Sequence, residues 1–223
     1  MTHEQPPVVS PVASPSPAAR KIPVIATAIL IAGAAVLYGI FGLGGKQTAN
    51  ECAPSAAVAK RLAPFAQGEV AALTMSSNPK TAVPVEFDGP GGTRRSMADY
   101  TGKALLLNLW ATWCIPCREE MPSLDRLQAR LGDDSFEVVA VSVDTARLEK
   151  RQPFLDEAGV KHLAFYSDAS ADIFQRLKRA GKVLGLPTTL VIDRSGCELG
   201  VMAGPADWSS DDAVRLITAL KAP

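Results

Sequence analysis

Histidine is almost missing from this 223-residue chain: there are two, His3 and His162. Four cysteines are present, and only two of them, Cys114 and Cys117, lie close together. A tetrahedral zinc site built on that pair would need two more ligands, and the sequence offers no second pair at zinc-ligand spacing. Charge of either sign in excess is also lacking. The 23 basic and 23 acidic residues cancel, so no electrostatic footprint for nucleic acid is present. Runs such as Arg147–Arg151 (RLEKR) read as solvated helix faces. A thiol peroxidase would need a lone reactive cysteine after a proline–threonine segment, and none follows one here.

The N-terminal region is poor in large apolar residues and then abruptly rich in them. Residues 1–21 are dominated by proline, serine and alanine, the composition of a disordered tail. Ile22–Leu43 then runs for 22 residues without a charge. As a helix this is roughly 33 Å long, enough to cross a hydrocarbon core. Arg20 and Lys21 in front of it favour a cytoplasmic N-terminus. A cleaved signal peptide would have a shorter apolar stretch and a small-residue cleavage site. A lipobox ending at Cys52 is disfavoured by Asn50-Glu51 before it. The expected organisation is a cytoplasmic tail (1–21), a transmembrane anchor (22–43), a linker with an N-terminal helical extension (44–82) and an α/β domain (83–223). The last two together are long enough for a proper hydrophobic core.

Within that domain the chemistry concentrates in Trp110-Ala111-Thr112-Trp113-Cys114-Ile115-Pro116-Cys117. The apolar run Ala104–Trp110 (ALLLNLW) reads as a strand covered on both faces. A helical pattern follows from Arg118 to Leu131, interrupted by Pro122, where a bend is expected. Cys114 therefore falls at a helix mouth, where free backbone N–H groups and the positive dipole end favour a thiolate. Cys117 lies one turn on, within reach of a disulfide. That arrangement suits thiol–disulfide exchange, with Cys114 attacking and Cys117 resolving the mixed disulfide. Trp110 and Trp113 read either as core packing or, for Trp113, as part of the surface a substrate meets.

Further strands are expected at Val83–Phe87 and Thr93–Ser96 (a hairpin across Asp88–Gly92), Phe136–Val143, Leu163–Ser167, Thr188–Asp193 and Cys197–Ala203. Helices are expected near 56–66, 146–158, 170–180 and 209–221.

The motif WATWCIPC, the following Glu119-Glu120-Met121-Pro122 and the downstream Gly185-Leu186-Pro187-Thr188-Thr189 closely resemble the thioredoxin superfamily. Within it the likeness is to the membrane-anchored TlpA-type thiol:disulfide interchange proteins. The resemblance implies a thioredoxin fold with an N-terminal extension and a central α/β insertion, preceded by one transmembrane helix. It implies a cis peptide bond before Pro187, with Trp113, Leu186 and Pro187 docking an extended substrate segment. Cys52 and Cys197 look like the family's structural disulfide, which an oxidising compartment permits; free buried thiols are the alternative.

The resemblance further implies a protein of the bacterial inner membrane, single-pass, with its C-terminal domain in the periplasm and no organic cofactor or metal. It would reduce cysteine pairs of disulfide-containing client proteins, copper-site or cytochrome assembly factors. Its electrons would come from a membrane thiol carrier. The rival readings are an oxidase that donates its disulfide and a copper chaperone recruiting His162. One departure from thioredoxin itself is Asn108, which stands where thioredoxin has a buried aspartate and cannot accept a proton. Glu120 is either the substitute proton acceptor or, with Glu119, a first-turn acid complementing the helix dipole.

Overall fold

A computed structural model of the chain describes residues 51–222. The expected tail and membrane anchor, residues 1–43, lie outside the described residues. Among the described residues no helix is long and apolar enough to cross a membrane.

Chain order is α1 (Ser55–Leu62), β1 (Thr74–Thr81), β2 (Glu86–Asp88), β3 (Arg94–Ser96), β4 (Ala104–Trp110), α2 (Ile115–Leu131), β5 (Phe136–Ser142), α3 (Arg151–Glu157), β6 (Tyr166–Ser167), α4 (Asp172–Arg179), β7 (Thr188–Ile192), β8 (Cys197–Ala203) and α5 (Asp211–Lys221). The strands form one sheet in the order β1-β8-β7-β4-β5-β6-β2-β3. All seven residues of β4 are buried, as its unbroken apolar run requires. It pairs parallel with β5, Leu106 facing Val138, and antiparallel with β7, Leu107 facing Leu190. Full burial of each β4 leucine contributes roughly 1.5–3 kcal/mol from area removed from water.

Because β4 and β5 are parallel, the chain must cross over between them, and α2 is that crossover. The unit α3-β6-α4 is inserted between β5 and β7. Its strand is only two residues long and lies inside the sheet, bonded to both β5 and β2. The helix expected over 146–158 is shorter, α3 being preceded by a 3₁₀ turn at Leu148–Lys150. That turn starts from Arg147 in the left-handed region (φ 53°), where a helix cannot begin earlier.

The β7–β8 hairpin turns at Gly196, whose φ of 77° suits a residue without Cβ. The Asp193 carboxylate accepts from the N–H groups of Ser195 and Cys197 across the same turn. One strand was not foreseen: β1 lies in the stretch read as linker and helical extension and forms the sheet edge against β8. Its sequence TMSSNPKT has no alternation and contains Pro79, and its pairing is irregular between Met75 and Lys80. An edge strand tolerates both features.

Candidate active site

The end of β4 and the start of α2 build the site. Val143 N–H bonds to the Trp110 carbonyl and Cys114 N–H to that of Ala111, closing the turn that delivers Cys114 to the helix N-cap. The Cys114 Sγ accepts from the Cys117 N–H at 3.3 Å, the position a serine or aspartate oxygen takes at an ordinary helix start. Ile115 and Pro116 open the helix, and proline's missing N–H costs nothing there. Cys114 and Cys117 are joined as a disulfide, with Cα atoms 5.3 Å apart.

Cys114 stands at the expected helix mouth but is barely open to solvent. In the oxidised protein it is only 6% exposed and Cys117 is wholly buried. Large apolar side chains next to the pair in sequence stand out into solvent, Trp113 and Ile115 at 69% exposure each, and Leu184, three residues ahead of Pro187, is 86% exposed. Trp110 has the other role, buried with its Nε1–H on the Ala140 carbonyl and its ring 5.5 Å from that of Phe154.

The Leu186–Pro187 bond is cis. Thr188 pairs with Leu109 of β4, so the sheet register brings Pro187 to the same end of β4 that leads into the cysteines. Leu186 is half-buried.

Glu120 sits one helical turn past Cys117 on the same face of α2. It is buried, at 3% exposure, whereas Glu119 is exposed. One carboxylate oxygen accepts from Asn108 Nδ2 at 2.7 Å; the other accepts from Trp208 Nε1 and the Ala206 N–H, both at 3.3 Å. Asn108 also donates to Thr189 Oγ1 at 3.0 Å, linking the acid to β7. Burial drives the Glu120 pKa up to about 7, partly opposed by the hydrogen bonds from Asn108, Ala206 and Trp208. The helix begins at Ile115, so neither glutamate lies in its first turn, and the expectation of first-turn acids serving the dipole does not hold. A cleft of about 410 Å³ is lined by Glu119, Glu120, Ser123 and Ala206 among others.

Trp208 and Ala206 could not be found from the sequence. They lie 88 and 86 residues from Glu120, and no local pattern marks them. Cys52 and Cys197 form a disulfide that ties the chain ahead of α1 to the first residue of β8. His162 is not brought to the thiols. Its N–H, with those of Lys161 and Leu163, bonds to Asp125, two turns down α2 from Cys117. Among the described residues, no group of three or more His, Cys, Asp or Glu side chains could hold a metal ion.

This sheet, with a cysteine pair at the mouth of the crossover helix beside a cis-proline, defines a thioredoxin-fold protein of the thiol–disulfide oxidoreductase class. The chain belongs to the Redoxin family, whose model matches residues 76–217. It is 31% identical over 149 residues to the thiol-disulfide oxidoreductase ResA of Geobacillus kaustophilus, a match covering 64% of this chain and 81% of that one. It is 36% identical over 108 residues to the thioredoxin-like protein YneN of Bacillus subtilis, where the match covers 47% of this chain and 59% of the relative. Among solved structures it is similar to a thiol:disulfide interchange protein of the thioredoxin family from Chlorobium tepidum. There the TM-score is 0.55 and the identity 27%, over 66% of this chain and 99% of that one. These relatives bear out both the TlpA-type resemblance and the expectation of an enzyme.

Proposed function

We propose that this protein is a membrane-anchored reductant of protein disulfides, held by residues 22–43 in the bacterial inner membrane with its α/β domain in the periplasm. The observation that carries the chemistry is Cys114 at the N-cap of α2, its sulfur receiving the Cys117 N–H one turn above a buried acid.

In the reduced enzyme the Cys114 thiolate attacks one sulfur of a client disulfide, forming a mixed disulfide and expelling the client's other sulfur as a thiolate. Cys117 loses its proton to Glu120, and its thiolate attacks the Cys114 sulfur. The enzyme disulfide closes and the second client thiolate leaves. Two electrons have passed to the client, and the leaving thiolates take up two protons. A Glu120 pKa near 7 suits a group that must take a proton and give it up again. The cleft that Glu120 helps to line offers that proton a route to solvent. Trp113, Leu186 and Pro187 dock the client segment. Clients are copper-site or cytochrome assembly factors, and a membrane thiol carrier returns the electrons. Cys52–Cys197 serves as a structural bridge.

Trapping tests the assignment. In Cys117→Ser protein expressed in a periplasm, the client is expected to accumulate as a mixed disulfide on Cys114. Recovery of only nonspecific adducts, or an equilibrium potential near that of strong oxidants, would defeat the reductant reading. Trp113→Ala should raise KM for a trapped client about tenfold, the effect of losing one exposed aromatic anchor, while alkylation of Cys114 by a small reagent is unchanged. Steady-state kinetics with wild-type KM would remove Trp113 from the docking surface.

A further inference from the structure

Asp144, two residues past the end of β5, is a buried acid that the exchange chemistry above does not use. It is completely inaccessible to solvent. Its carboxylate accepts from the Thr112 N–H at 3.2 and 3.0 Å, from the Thr112 hydroxyl at 2.8 Å and from the Ser142 hydroxyl at 2.9 Å. Each of those donors is neutral, and none of the ion pairs among the described residues includes Asp144. Thr112 lies in the turn that closes on Cys114.

We propose that Asp144 is a positioning residue for Cys114: it fixes the turn through Thr112, and its buried negative charge holds the attacking thiol less acidic than the helix mouth alone would make it. This rests on the thiol–disulfide reading and sets the direction in which the pair works. A less acidic attacking thiol makes the reduced form less stable, so electrons leave more readily toward a client disulfide.

Thr112 and Cys114 are two residues apart, a Cα span of at most about 7 Å, so the carboxylate bonded to Thr112 lies on the order of 10 Å from the Cys114 sulfur. At that separation and an effective dielectric of about 20, a unit charge moves a thiol's titration by about one pH unit. The other charged groups around the site are less effective or of mixed sign. On α2, Arg118 and Glu119 are exposed and Glu120 is the buried acid beneath. On the 145–150 segment and α3, Arg147, Glu149, Lys150 and Glu157 line an open cleft beside Trp113. Ahead of β7, Lys182 is paired with Glu198. Solvent screens the exposed charges far more than it screens Asp144.

The test is the pH dependence of Cys114 alkylation in the reduced full-length protein, with the equilibrium against dithiothreitol as second readout. Asp144→Asn keeps an acceptor for Thr112 and removes the charge. It should lower the Cys114 midpoint by about one unit and raise the reduced fraction at equilibrium several-fold. Asp144→Ser also removes the charge while leaving a small polar side chain, and should lower the midpoint in the same direction. A folded Asp144→Asn protein with the wild-type midpoint overturns the proposal. If that variant does not fold, an unmoved midpoint in Asp144→Ser overturns it. Wild-type activity toward insulin disulfides separates the two readings. No activity there defeats the oxidoreductase function itself, whereas full activity with unmoved midpoints defeats only the role of Asp144.

Discussion

Replacing both Cys52 and Cys197 with serine should lower the stability of the described domain by about 5 kcal/mol, the chain-entropy value for a loop of 145 residues. That is a large share of the roughly 5–15 kcal/mol that keeps a domain folded. The loss arises mostly in the unfolded ensemble, where the bridge forbids conformations in which the two ends separate. Urea unfolding should therefore show a lower midpoint together with a steeper slope, as the unfolded chain becomes more open. The bridge joins β8, and β8 is separated from β4 only by β7. At temperatures where the variant is folded, exchange at Cys114 and Cys117 should persist, since neither sulfur touches the bridge. A cost below 1 kcal/mol, or loss of exchange in folded protein, would refute this reading of the bridge.

Glu120→Gln has the second large effect, and its sign follows from proton binding. Between about pH 4.5 and pH 7 the unfolded chain has released this proton while the native protein still holds it. Stability therefore falls as pH rises through that window, by about 3 kcal/mol in all. Chemical unfolding of the oxidised protein at pH 4.5, 6 and 8 should show that decline in the wild type, and the variant should lack it. In the reduced protein the same change removes the proposed acceptor for the Cys117 proton. Resolution of the mixed disulfide should slow by about two orders of magnitude, the usual contribution of a positioned base, with Cys114 attack still fast. An unaltered pH profile of both thiols would return Glu120 to a structural part.

The sequence carried the centre of the fold clearly and its margins poorly, for reasons visible in individual residues. Ala104–Trp110 is apolar throughout because β4 is covered on both faces, and its boundaries in the structure are those read from the sequence. Short-range signals worked in the same way: Asp88–Gly92 marked the β2–β3 hairpin, and the spacing of Val214, Ile217 and Leu220 marked α5, which Ser210 caps. By contrast β1 is a strand only because β8 offers it partners, and its own residues prefer nothing of the kind. The two-residue β6 is likewise made by its neighbours.

At the site, Cys114, Cys117 and Pro187 were legible as a motif and Glu120 as a choice between two roles. What decides that choice is contact across the chain. Asn108, Ala206 and Trp208 surround the carboxyl, and only the folded chain brings them there. Asp144 was passed over for the same reason, since its partner Thr112 lies 32 positions earlier.

The remainder of α2 beyond Pro122 is bolted down along its length. Ser123 bonds to both the Ala206 carbonyl and the Trp208 N–H. A single Asp125 oxygen gathers three consecutive amides of the insertion. Gln128 takes the Val138 N–H, and Lys221 reaches the Leu131 carbonyl. Proline at 122 leaves the Arg118 carbonyl without its usual helical partner, and ahead of it the Glu120 carboxyl is held by Asn108, Ala206 and Trp208. The helix that carries the two sulfurs is thereby pinned at once to the sheet, to the insertion and to the C-terminal segment.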